Sequence, residues 1–255
     1  MPLKSFSPGF QVFFFILIML MMSLVGEFIF ALCLNLVVDP EILAKADWGD
    51  PRMTLTFIFI SQVFYFLLSF MVFLRLSGDR FEDLVQIDRI SWRPLLMTLG
   101  VLVILFISSP LLSGINELIR PFLPVGLLDR AAANAIAQQE LFYQSNFIQF
   151  GFSLIVFALL PAIFEELVFR GFLISKMIAS GISETGAILM SGAIFAVSHM
   201  QPLNLLVMFF AGVCLGFVYM RFKNIKYSMI LHFFFNAVQI VIGYLVGSGI
   251  LEMEI

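Results

Sequence analysis

Long apolar stretches separated by short polar ones dominate this chain. The first runs from Phe10 to Val38. Polar residues 39–53 follow, with Asp39-Pro40 and Gly49-Asp50-Pro51 as turn punctuation. Further apolar runs cover Thr54 to Leu76, Pro94 to Leu112, Phe147 to Ile174, Ile182 to Met200, Leu203 to Met220 and Lys226 to Val246. Each is close to the ~20 residues that an α-helix needs to cross ~30 Å of hydrocarbon. Residues 113–146 form a longer connector with room for an eighth crossing. Within it, Asp129 to Gln144 is rich in Ala and Gln and reads as a surface helix lying at the interface. The pattern predicts an all-α, polytopic transmembrane helix bundle of about seven to eight spans. It forms a single membrane domain over 1–255, with leading helices and loops in 1–146 and the chemistry-bearing helices in 147–247.

Composition agrees with the pattern. The chain is 61% hydrophobic, carries 12% charged residues and has a mean hydropathy of +1.05, against about 25% charge in a soluble domain. No basic block or glycine-rich phosphate loop is present, so nucleic acid is not an expected partner. Cys33 and Cys214, both in apolar runs, define no disulfide or zinc framework and read as membrane core residues. The first run is too long for a signal peptide and has no small-residue exit, so it reads as an uncleaved helix. Glu27 within it reads as a bundle-facing structural acid.

Charge placement predicts an orientation. With seven alternating spans and the amino terminus inside, the inner face holds Lys4, Arg75, Arg80, Arg89, Arg93, Lys176, Arg221, Lys223 and Lys226. The outer face holds Lys45, Arg52, Arg120 and Arg130. That excess favours a cytoplasmic amino terminus.

The oddity is the fourth run, where Glu165-Glu166-Leu167-Val168-Phe169-Arg170 interrupts apolar sequence. An unpaired charge at the bilayer centre costs roughly 3 kcal/mol on insertion scales. Glu166 and Arg170 are four apart and share a helix face in the favourable acid-before-base order. Glu165 points about 100° away from Glu166, leaving it as the acid free for chemistry. Pro161, four residues earlier, predicts a kink. The two histidines of the chain, His199 and His232, both fall within predicted spans, and His232 and Asn236 share a face at i, i+4. A carboxylate and an imidazole facing a water supply general-base activation. A second imidazole and an amide can stabilise an oxyanion. Glu165, His199 and His232 are also chemically suitable for one divalent metal such as zinc, though no His-Glu-x-x-His helix compels it. Water activation without a cofactor is the first expectation.

These motifs, Glu165-Glu166-x-x-x-Arg170, Phe195-x-x-x-His199 and His232-x-x-x-Asn236, resemble those of the CPBP (Abi) family of CAAX-type and bacteriocin-processing intramembrane proteases. The similarity covers roughly residues 145–247. It implies about eight transmembrane helices and peptide hydrolysis in a polar cavity between the later ones. It further implies Glu165 as general base assisted by His199, Glu166 and Arg170 as the pair holding the site, and His232 with Asn236 as the oxyanion hole. Whether such enzymes work through a metal or through glutamate alone stays open. Eukaryotic members remove the last three residues of prenylated proteins; bacterial ones are linked to peptide maturation, bacteriocin immunity or membrane-protein regulation. The expected substrate is a membrane-associated peptide or protein tail, and the expected location a bacterial cytoplasmic membrane. The alternative is a non-enzymatic scaffold or immunity protein that binds a peptide or membrane partner.

Overall fold

The computed structural model describes residues 3–37, 50–143 and 146–252; the expected turn at Asp39-Pro40 and the outer-face Lys45 lie outside these. The described residues form eight principal helices and no strand. They are α1 (Pro8–Val37), α2 (Pro51–Ser77), α3 (Trp92–Glu117), α4 (Val125–Phe142), α5 (Phe147–Ala179), α6 (Glu184–Ser198), α7 (Leu205–Phe222) and α8 (Ile225–Gly247). Six of them, all but α4 and α6, are long and apolar enough to cross a membrane. The lipid-facing character is plain on α1, where Phe13, Leu20, Leu24 and Phe28 are exposed.

Helix ends follow their capping chemistry. Asp50 accepts from Arg52 N and opens α2, Asn146 accepts from Ile148 N and Gln149 N and opens α5, and Asn224 opens α8. Hydrogen bonding by the Arg52 guanidinium holds the Asp50 carboxyl down at about 2. Ser183 caps α6 through Gly186 N. At its other end the chain turns through Met200 at φ 50° toward Pro202, so α6 has only 15 residues. It is the shortest of the expected spans. The fourth span is longer than its apolar run indicated, because Ser175–Ala179 continues the helix beyond Ile174. The surface helix expected from Asp129 starts at Val125.

Helix α5 is the axis of the bundle. Residues Leu167–Ile174 are all buried, and Phe172 packs between Phe15 of α1 and Phe73 of α2, with ring centroids 4.4 and 4.6 Å away. Two expectations on α1 change. Glu27 is exposed and its nearest polar partner is Ser23 Oγ at 3.4 Å; its neighbour Gly26 is what faces the bundle, where a Cβ would meet Phe64 at 2.9 Å. One residue of offset is about 100° of helix rotation, enough to move the acid to the outside. Cys33 is likewise exposed, whereas Cys214 is partly buried.

The bundle has two polar ends. At one, Lys176 Nζ binds Asp79 at 2.8 Å, Lys223 Nζ binds Glu184 at 3.1 Å, and Ser91 N donates to Tyr227 Oη at 2.7 Å. At the other, Asn116 Nδ2 donates to Pro202 O at 2.8 Å and Gln201 Nε2 to Gln138 Oε1 at 3.3 Å.

Helices α6 and α7 cross at two glycines. A Cβ on Gly192 would lie 2.8 Å from Val213 Cγ2, and one on Gly212 would lie 2.9 Å from Gly192 Cα. Backbone contact this close admits no branched side chain. Gly192→Val is expected to destabilise by about 1–3 kcal/mol, the usual cost of overpacking, read as a lower melting temperature in detergent.

Candidate active site in the membrane core

Pro161 shapes the helix that carries the acids. Lacking an N–H, it cannot donate to the preceding turn. Around it the ladder slips to i→i−5 bonding over Ile155–Leu159, and the carbonyls of Val156 and Phe157 are left for other donors. Gln62 Nε2 of α2 donates to Val156 O at 2.9 Å, and Asn236 Nδ2 of α8 donates to Phe157 O at 2.9 Å. The expected kink thus takes the form of a locally widened turn, held from two sides by carboxamides. A second i→i−5 stretch covers Leu167–Ile174 and includes Arg170. Such widened turns recur at functional sites.

Just beyond Pro161 the acids diverge as the spacing predicts. Glu166, fully buried, accepts from Arg170 Nη1 at 2.8 Å and lies 3.0 Å from His232 Nδ1, both at Oε1. Arg170, also fully buried, donates through Nη2 to Gly212 O at 2.9 Å and stacks over the Phe195 ring at 4.9 Å. A carboxylate paired with a guanidinium only accepts, so Nδ1 of His232 carries the proton. The free ring nitrogen of His232 is therefore Nε2.

Glu165 belongs to a different environment. Its Oε2 is buried with no hydrogen-bond partner, and His199 Nε2 is 3.9 Å away. The other ring nitrogen of His199 lies 2.7 Å from Phe195 O. A carbonyl can only accept, so that nitrogen, Nδ1, is the donor and Nε2 is a base facing Glu165. At 3.9 Å the two groups do not bond directly.

Glu165, His199, His232 and Asn236 line one cavity of about 270 Å³. Its remaining polar lining is amide: Gln62, Gln138, Gln201, Asn204 and Gln239. All six residues marked out in the sequence therefore meet in one place: four on the cavity wall, with Glu166 and Arg170 directly behind His232. Sequence reasoning missed Gln62 and the Gly212 carbonyl. Gln62 had a signal, as the one carboxamide in the second apolar run; a backbone carbonyl on another helix has none.

Among the described residues no three His, Cys, Asp or Glu side chains converge as metal ligands. Of the candidate metal set, Glu165 and His199 stand 3.9 Å apart, and His232, whose Nδ1 is engaged by Glu166, keeps Nε2 toward the cavity.

Residues 147–238 match the family described as Type II CAAX prenyl endopeptidase Rce1-like, in agreement with the resemblance of the three motifs. No curated protein and no solved structure matches the chain.

Proposed function

We propose, with the Rce1-like match of residues 147–238 as premise, that this integral membrane protein is an intramembrane endopeptidase using Glu165 as its general base. The observation that carries the reading is the buried, unpartnered Glu165 Oε2 opposite His199 Nε2 at 3.9 Å. A water between them loses a proton to Glu165, and its oxygen attacks the scissile carbonyl. The carbonyl oxygen takes the negative charge. When the C–N bond breaks, the proton held by Glu165 passes to the departing amine. Water is consumed and one carboxyl and one amine end are made.

His232 supports the developing oxyanion through Nε2. That role requires a proton on both ring nitrogens, and the Glu166 carboxylate at 3.0 Å from Nδ1 compensates the imidazolium charge. Arg170 balances Glu166 in turn. Asn236 Nδ2 spends one N–H on Phe157 O, and its second N–H is available to the cavity. Glu166 and Arg170 touch no substrate in this scheme and act as positioning residues.

The substrate is a membrane-associated peptide or protein segment. The excess of Lys and Arg at the Lys176 end favours a cytoplasmic amino terminus in a bacterial cytoplasmic membrane. The test is cleavage of membrane-derived peptides by purified protein, with loss in a Glu165→Gln variant. Because the side chains do not converge as a metal set, the rate is expected to change less than twofold on treatment with a divalent-metal chelator. A fall that added zinc restores would replace this mechanism with a metal-dependent one. If the Glu165→Gln chain still complements a deletion strain, the binding-protein alternative stands instead.

A further inference from the structure

The cavity lies toward one end of the bundle, and its lining identifies which. Gln138 and Phe142 of α4, together with Gln201 and Asn204 of the α6–α7 connection, line it and are partly exposed, so this side is its rim. These elements sit at the end joined by the Asn116–Pro202 and Gln201–Gln138 contacts, opposite the end joined by Lys176–Asp79 and Lys223–Glu184. His199, at the carboxyl end of α6, is on the same side as the rim.

Cationic side chains divide sharply between the two ends. Among described side chains outside the membrane core, Arg52, Arg120 and Arg130 belong to the rim end. The other eight, from Arg75 to Lys226 along the chain, belong to the opposite end. Loops rich in Lys and Arg are retained in the cytoplasm. The rim therefore faces away from it.

The lining adds a second constraint. Six carboxamides line the cavity, Gln62, Gln138, Gln201, Asn204, Asn236 and Gln239, and no Lys or Arg does. Arg170, the cation behind the wall, is fully buried and committed to Glu166 and Gly212 O. A peptidase that anchors a free terminal carboxylate needs a cation or a cluster of aimed donors to receive it. Carboxamides both donate and accept, which suits the alternating N–H and C=O groups of an extended backbone.

We propose that the cavity receives an internal, extended stretch of polypeptide from the non-cytoplasmic face of the membrane, without using a free carboxyl terminus as its anchor. The substrate class is a membrane-tethered or exported chain whose cleaved segment emerges on that face. This proposal rests on the peptidase reading for its substrate, but the exposure of the rim is independent of turnover.

Two measurements test it. In a Cys33→Ser, Cys214→Ala chain, single cysteines at Asn134 of α4 and at Arg89 are probed in intact cells with a membrane-impermeant maleimide. Asn134→Cys is expected to label and Arg89→Cys to label only after permeabilisation. Labelling of Arg89→Cys in intact cells, or none at Asn134→Cys, overturns the assigned face whether or not the protein is a peptidase. Separately, the purified protein is given a proteome-derived peptide pool, before and after chemical amidation of carboxyl termini. Cuts absent from Glu165→Gln controls are expected at interior positions and within about twofold of the same yield after amidation. Cuts confined to the last few residues, or abolished by amidation, overturn the internal-stretch reading.

Discussion

Glu165→Gln is expected to lower peptide cleavage by about 10²–10⁴-fold, the usual contribution of a positioned general base, while leaving the melting temperature nearly unchanged. The amide matches the carboxylate in shape but cannot take a proton from water. Stability is spared because Glu165 Oε2 has no hydrogen-bond partner to lose and His199 Nε2 stands 3.9 Å off. His199→Ala removes the second contact to the same water and is expected to cost a smaller factor. Purified variants compared at equal folded concentration, with rates measured on one peptide, check both. Equal rates for the parent and Glu165→Gln would remove Glu165 from the mechanism.

Arg170→Ala is expected to act through stability first. Both partners of the Glu166–Arg170 pair are fully buried, and removing one strands the other as an uncompensated charge, at about 3–5 kcal/mol. The Gly212 carbonyl loses its donor as well. The expected readout is a large fall in melting temperature, or failure to recover folded protein in detergent. The double replacement Glu166→Gln with Arg170→Met leaves no stranded charge and is expected to recover most of that stability. It is not expected to recover cleavage, because His232 then loses the carboxylate on Nδ1. Full recovery of activity in the double variant would show that the pair does not position His232.

The features legible in the sequence were those set by local spacing. Glu166 and Arg170 share a face because residues four apart on a helix must, and the structure pairs them at 2.8 Å. Glu165 turns away for the same reason. The caps at Asn146, Ser183 and Asn224 are equally local in their chemistry, though the apolar runs did not mark them. What stayed hidden depended on contacts between segments distant in the chain. Proline spacing announces a break before Glu165, yet only packing shows that Gln62, 94 residues from Val156, closes it. Glu27 departs from its expected place for a different reason. Its burial hung on a rotation of one residue that apolar periodicity in α1 cannot determine, since that helix is hydrophobic all round.

The brevity of α6 has a consequence for the surrounding lipid. At 1.5 Å per residue its 15 residues reach only about 22 Å, some 8 Å less than an average hydrocarbon layer of about 30 Å. Acyl chains beside it must compress or splay, at fractions of a kcal/mol per ångström. His199 stands at the carboxyl end of α6, so thinning on that side would shorten the distance from His199 to the headgroups. In the proposed reaction, water would then have a shorter path from that surface to Glu165.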